Sequence, residues 1–144
     1  MVIQMSVDLR DLKNLQRDLK IIERDFPELD EKVRRRFAER TKQLAKMYVM
    51  PRWGETGELK GSIIYRKEGP HSTMVLAGAP YAGYVELGTK PHEIPNNPFW
   101  GLIGRKHPGA RPMRYMTKAY EQVLKESAGI LNEEISQFFG RRKL

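Results

Sequence analysis

The run Ser62-Ile63-Ile64-Tyr65-Arg66-Lys67-Glu68-Gly69-Pro70-His71-Ser72-Thr73-Met74-Val75-Leu76-Ala77 decides how this chain is read. Its two ends, Ser62 to Lys67 and Thr73 to Ala77, are rich in β-branched and large apolar side chains, which suit a pleated and half-buried surface. Between them stands the turn-forming tetrapeptide Glu68-Gly69-Pro70-His71. The run therefore reads as an antiparallel hairpin.

On both sides of it the period changes from two to about 3.6. From Ser6 onward Leu9, Leu12, Leu15, Leu19 and Ile22 recur at three- and four-residue steps, with Arg10, Lys13, Arg17, Lys20 and Arg24 on or beside the wet side. Pro27 suits the first turn of a second helix, where its missing N–H is an orphan anyway. Leu29, Val33, Phe37, Leu44 and Tyr48 continue its apolar face, and the helix should end by Met50, before Pro51. One long helix kinked at Phe26-Pro27 is the alternative. Past Pro112 the stripe returns with Met116, Tyr120, Val123, Leu124, Leu131, Ile135 and Phe138, a helix of about six or seven turns that Gly140 should stop. Gly129 inside it suggests a close helix crossing.

Residues 79–112 are harder to read. Ala79 to Leu87 fits a strand, or a short helix opened by Pro80 and closed by Gly88, and the spacing of Tyr81, Tyr84, Val85 and Gly88 favours the helix. Thr89 to Arg111 holds Pro91, Pro95, Pro98 and Pro108 with three glycines, so little regular pairing is expected there. Loops of that length are commonly functional or disordered. Phe99, Trp100, Leu102 and Ile103 stand in its middle, and four such groups in a loop call for a docking surface: the protein's own sheet, or a neighbouring subunit. Helices, then a small antiparallel sheet, then a helix make an α+β layout with helices on one face of the sheet.

At 144 residues and 16.8 kDa this is the size of one domain, divided as 1–50 helical, 51–112 strand and loop, and 113–144 helix with a basic tail. There are no cysteines, so disulfides, thiolate zinc sites and cysteine nucleophiles are excluded. No apolar stretch approaches the length of a membrane helix, and no secretory apolar core opens the chain, which reads as soluble and unprocessed. The formal charge of +8 is spread thinly: 12 basic against 9 acidic side chains in residues 1–50, 8 against 5 in 51–112, and 6 against 4 in 113–144. Only Arg34-Arg35-Arg36 and Arg141-Arg142-Lys143 are clusters, either solvated helix faces or contacts for nucleic acid.

Catalytic machinery is hard to assemble from what is present. Every Asp lies within the first 30 residues, leaving Glu55, Glu58, Glu68, Glu86 and Glu93 for the sheet region, too few for a two-metal nuclease. Glu86 followed by Lys90 lacks the usual nuclease spacing. His71, His92 and His107 stand 21 and 15 positions apart without ligand spacing, so neither metal nor cofactor is expected. Gly54, Gly57 and Gly61 are not followed by the Lys-Ser or Lys-Thr of a phosphate cradle, and Gly61-Ser62-Ile63 has only a passing likeness to a nucleophile elbow. A hydrolase built on Glu86 with His92 or His107 is the weakest of the readings.

Three turn words in fixed order stand out: Thr56-Gly57-Glu58-Leu59-Lys60-Gly61-Ser62-Ile63, then Pro80-Tyr81-Ala82-Gly83-Tyr84-Val85-Glu86-Leu87-Gly88-Thr89, then His107-Pro108-Gly109. Gly57 and Gly88 fit backbone angles that a side chain would penalise; Tyr81 and Tyr84 suit a core edge or subunit seam; Glu86, among apolar neighbours, needs a donor, either amides near Thr89 or an arginine. In these words, over about its last two thirds, the chain resembles the tail-completion and head-to-tail joining proteins of long-tailed bacteriophages, also described as minor capsid or minor tail proteins. Where that family closes on a proline-phenylalanine pair, this chain has Pro112-Met113-Arg114-Tyr115, with Tyr115 as the stand-in.

The resemblance implies a non-enzymatic virion component that forms a six-fold homo-oligomeric ring at the head-tail junction. It would be made in the host cytoplasm, with the head connector or stopper and the tail-tube proteins as partners and no membrane. It further implies that Thr56, Gly57, Leu59, Ser62, Tyr81, Tyr84, Glu86, Gly88, Thr89, His107, Pro108 and Gly109 serve assembly, and non-specific contact with packaged DNA fits the basic balance. A small basic nucleic-acid-binding protein is the alternative, and it would show steeply salt-dependent DNA affinity.

Overall fold

A computed structural model describes residues 9–50, 57–96 and 104–143. The expected helix start at Ser6, together with Thr56, Phe99, Trp100, Leu102 and Ile103, lies outside the described residues. In chain order the elements are α1 (Leu9–Tyr48), α2 (Glu58–Ser62), β1 (Ile63–Gly69), β2 (Ser72–Ala77), α3 (Ala82–Leu87), β3 (His92–Glu93), β4 (Lys106–His107) and α4 (Tyr115–Arg142). The architecture is α+β: a long N-terminal helix, two small antiparallel ribbons and a long C-terminal helix.

Of the two readings of the N-terminus, the single long helix is the one that forms, 40 residues long with Pro27 inside it. A proline in a helix interior costs ~3 kcal/mol, so other interactions must hold the two halves in line. Ile22, Phe26, Leu29 and Val33 keep the three- and four-residue step in phase across Pro27. Arg142 from the far end of α4 clamps both sides of the same point, 2.7 Å from Asp25 and 3.0 Å from Glu28.

The C-terminal helix also differs from its expected end: it runs through Gly140 to Arg142. Arg142 is held by that clamp and lies 3.9 Å over the Phe138 ring, so the last turn is anchored, and the left-handed terminator is Lys143, at φ 52°. α1 and α4 run antiparallel, joined along their length by ion pairs between Arg40 and Glu126, Arg36 and Glu133, and Arg36 and Lys32 with Glu134. Glu134 is 3% exposed and accepts a 2.9 Å bond from Arg36 Nη1, while its other oxygen stands 3.2 Å from Lys32 Nζ.

The hairpin forms as its sequence dictates. β1 and β2 pair antiparallel in the register Ile63↔Ala77, Tyr65↔Val75 and Lys67↔Thr73, with an irregularity between Lys67 and Gly69 at the turn. Ile63 is fully buried, and Tyr65 and Val75 are half-buried, whereas Ile64 and Met74, one position out of phase, face solvent. α1 lies against both strands, with Lys42 Nζ 5.1 Å over the Tyr65 ring. The densest core gathers at one end of the molecule, where Leu44 and Val49 of α1, Leu59 of α2, Ile63, Val85 of α3 and Tyr115 of α4 meet.

Candidate functional site

The turn words, scattered along the chain, converge in space. Within Ala79 to Leu87 the short helix forms as α3 (Ala82–Leu87), preceded by a turn at Pro80-Tyr81 and closed by Gly88 at φ 73° and ψ 178°, a conformation essentially reserved for glycine. The free carbonyls at its end are taken by the chain returning from the long loop: Met113 N–H donates to Val85 O at 2.9 Å and Arg114 N–H to Glu86 O at 3.1 Å. The Glu86 carboxylate takes the next donors. It accepts from Met116 N–H at 2.9 Å, from Thr117 N–H at 3.0 Å and from the Thr117 hydroxyl at 2.6 Å.

Glu86 therefore caps the N-terminus of α4, where the helix dipole favours an anion and the helix's own residue at the cap, Arg114, supplies no side-chain bond. This corrects the donors expected near Thr89 or on an arginine. Amides are the partners, but from a helix 30 positions further on. Both oxygens of Glu86 are engaged in this cap.

The long loop is also more ordered at its base than its prolines suggest. Thr89 and Ala110 exchange backbone bonds of 2.9 and 3.0 Å, His92 pairs with His107 and Glu93 with Lys106, and Ile94 N–H donates to Arg105 O at 2.9 Å. Residues 89–94 and 105–110 thus form a two-stranded finger. The prolines are tolerated because they fall outside the exchanged pairs, at positions 91, 95 and 108. The imidazoles of His92 and His107 stack with centroids 5.0 Å apart; His92 Nδ1 lies 2.9 Å from Lys90 O, which assigns it the proton, while His107 Nδ1 accepts from Gly109 N–H at 3.0 Å.

Two glycines permit the finger's base to close. A Cβ on Gly88 would stand 2.5 Å from Ala110 O, and one on Gly109 would stand 2.4 Å from Thr89 O. Gly57 shares the positive φ, 71°, but no atom of the described residues stands within 4 Å of where its Cβ would be. The other residues of the turn words divide between interior and surface. Leu59 is fully buried, the Ser62 hydroxyl donates to Leu59 O at 2.8 Å, and Tyr81 donates to Glu58 at 3.3 Å. Pro108 and Tyr84 are exposed, Tyr84 by 66%.

Beside the finger's base lies an open groove of about 600 Å³, floored by Val85, Ala110 and Met113, walled by Tyr81 and Tyr84, and rimmed by Lys90, Arg111 and the stacked histidines. Neither Lys90 nor Arg111 has an ion-pair partner among the described residues. Glu86 does not line the groove.

The basic clusters are partly consumed by the fold. Arg34 bonds to Asp30 and to Pro70 O, Arg36 to Glu133 and Glu134, and Arg142 to Asp25 and Glu28, leaving Arg35, Arg141 and Lys143 exposed. The Asp30–Arg34 pair is an i, i+4 pair within α1, whereas those of Arg36 and Arg142 become visible only once α1 and α4 are known to run antiparallel. Among the described residues no three His, Asp or Glu come together as a metal-binding group, and no helix is long and apolar enough to cross a membrane.

The same ion pairs make stability sensitive to acid. The bidentate bonds of Arg40, at 2.7 and 2.9 Å, with a further bond from Gln122, hold the Glu126 carboxyl down at about 2. Arg24 and Arg142 keep Asp25 well below the usual carboxylate range. Burial pushes Glu134 upward, but Arg36 and Lys32 outweigh it and leave the group lowered. Groups lowered in the folded state contribute fully above their unfolded values and lose that contribution as pH falls through the folded ones, because the unfolded chain takes up protons first. The melting temperature is expected to drop between about pH 5 and pH 2, and to drop less steeply in Glu126→Gln, as followed by circular dichroism.

Large apolar side chains remain uncovered. N-terminal to the Arg142 clamp, α1 carries Leu12, Leu15 and Leu19, each more than half exposed, on a projection of roughly 24 Å at 1.5 Å per residue. Leu87, at the end of α3, is 78% exposed. Comparison with protein-family models, with curated proteins and with solved structures returns no match to this chain.

Proposed function

We propose that the protein is a structural component of a tailed bacteriophage or prophage that assembles through copies of itself into a ring at the head-tail junction, without chemistry of its own. One observation carries this reading beyond the sequence resemblance: the leucine stripe of α1 extends past the end of α4 with nothing described packed on it. A monomer gains nothing from displaying such a stripe, whereas a subunit that must bind its neighbours buries it. The free edges of a two-stranded hairpin and the finger projecting from the base of α3 add further contact surface of the kind a head-to-tail, self-closing assembly uses.

The test is the native mass of the purified protein, read by light scattering and electron microscopy, together with immunolocalisation on purified tails. A ring of several 16.8 kDa subunits and label at one tail end are expected. A particle population lacking the polypeptide would overturn the assignment, and tight DNA binding that weakens steeply with salt would transfer it to the nucleic-acid-binding reading.

A further inference from the structure

We infer that the first half of α1, Leu12 to Phe26, lies in the groove between α4 and the β-hairpin of a second copy of this chain, each copy filling the other's groove about a two-fold axis. The inference rests on the reading that copies of this chain bind one another, and it names one reciprocal contact between them.

The seam between α1 and α4 has two unlike sides. On one, Arg36 and Arg40 join the helices through Glu133 and Glu126. On the other, α4 and β2 stand apart over α1 and leave an open groove of about 780 Å³, with Phe37 and Ala38 in its floor and Val75, Tyr120 and Leu124 in its walls. No carboxylate lines it, and Arg34 and His71 stand at its hairpin-turn end. The wall continues along α4, where Tyr120, Leu124, Leu131, Ile135 and Phe139 follow at helical spacing, all partly exposed. From Ser127 to Phe139 the only charges on α4 are Glu133 and Glu134, and Arg36 turns both toward α1.

The projecting half of α1 matches this groove in phase, length and charge. Leu12, Leu19, Phe26 and Phe37 succeed one another at steps of 7, 7 and 11 residues, so the exposed stripe and the groove floor lie on one line of the same helix. The stripe runs about 21 Å from Leu12 to Phe26, and the wall about 22 Å from Tyr120 to Ile135, at 1.5 Å per residue. Anchors at steps of three and four are how a helix occupies an apolar groove. Beside the stripe stand Gln16, Asp18, Glu23 and Asp25, so two arms laid on each other would set like charges together, whereas the groove presents no carboxylate to them.

A chain cannot lay its own arm in its own groove. α1 is unbroken from Leu9 to Tyr48, which holds Leu19 about 27 Å from Phe37 along the axis. Laid antiparallel on a second copy, the arm brings Leu15 beside Leu124, Leu19 onto the floor around Phe37, and Phe26 beside Ile135. Because stripe and groove share one line, the same approach seats the other arm in the other groove, as an isologous contact requires. Nine large apolar side chains per copy, each between 37% and 59% exposed, are covered in this way. At roughly 200 Å² for a whole large side chain they amount to about 900 Å², against the ~800 Å² that each partner gives to a stable interface of standard size.

The chain has no cysteine, so introduced ones report the contact. Full-length Leu15→Cys and Leu124→Cys are each expected to give no covalent product alone. Co-expressed and treated with a short bis-maleimide, they are expected to give a covalent dimer of twice 16.8 kDa. Leu15→Glu with Leu19→Glu is expected to weaken pairing at least a hundredfold by light scattering while the circular dichroism spectrum keeps its helical signal, since both residues lie outside the core. A dimer or ring that forms without the 15–124 product overturns the pairing and leaves copies held by other contacts. A covalent dimer from Leu19→Cys alone means arm against arm and overturns it too. A monomer at every concentration overturns the pairing and the self-assembly together. The 15–124 product from a protein absent from viral particles sustains the pairing and overturns the phage assignment.

Discussion

Gly109→Ala is expected to destabilise the protein by about 3–5 kcal/mol, enough to unfold a domain of ordinary stability in part at room temperature. The residue sits at φ 85°, where an alanine is itself strained, and the added methyl carbon would lie 2.4 Å from Thr89 O and 3.0 Å from Pro91 N, both backbone atoms that no side-chain rotation can move. Relief requires the strands to separate, which breaks the two Thr89–Ala110 bonds at about 1 kcal/mol each. Gly88→Ala meets the same obstruction from the other side, 2.5 Å from Ala110 O, and belongs in the same range.

Gly57→Ala is the internal control. It shares a φ of 71° but meets no atom of the described residues within 4 Å, so the conformational penalty of about 1–2 kcal/mol is what remains. Urea titrations of the three variants would rank them 109 and 88 far above 57. Equal losses at all three would mean that positive φ alone, and not the close approach of the finger's strands, made these glycines necessary.

Glu86→Ala is expected to cost about 2–3 kcal/mol, because it strips the N-terminus of a 28-residue helix of the anion that satisfies two of its free amides. The loss should be local before it is global. Hydrogen exchange at the Met116 and Thr117 amides should accelerate more than anywhere else in the helix, and the Thr117 hydroxyl loses its 2.6 Å acceptor as well. Glu86→Gln retains an oxygen acceptor but not the charge that the helix dipole favours, so about half the loss is expected. Unchanged protection at Met116 and Thr117 in Glu86→Ala would remove the cap as an explanation for this carboxylate.

Both predictions concern residues that the sequence singles out for assembly, and in both the structure gives them an internal duty. Glu86, Gly88, Thr89 and Gly109 hold α3, the finger and the start of α4 in one fixed arrangement; the surface left for a partner is what that arrangement presents, Tyr84 and the groove beside it.

What the chain could reveal unaided was whatever depends on near neighbours. The hairpin was legible because alternation and a Gly-Pro turn act within 16 residues, from Ser62 to Ala77, and the need for glycine at 57 and 88 was legible because backbone angles are local. The helical stripes were equally plain, but their limits were not. Pro27 left two helices or one long one open, and Gly140 pointed to an end of α4 that does not come; the continuous apolar step across Pro27 and Arg142, reaching 117 residues back to Asp25, accompany the unbroken helices. The finger's pairing depended on which residues meet across the loop, and the partners of Glu86 on where α4 begins in space. Local rules fix what each segment prefers; long-range ion pairs, close backbone crossings and the faces left uncovered exist only once segments far apart in sequence are packed together.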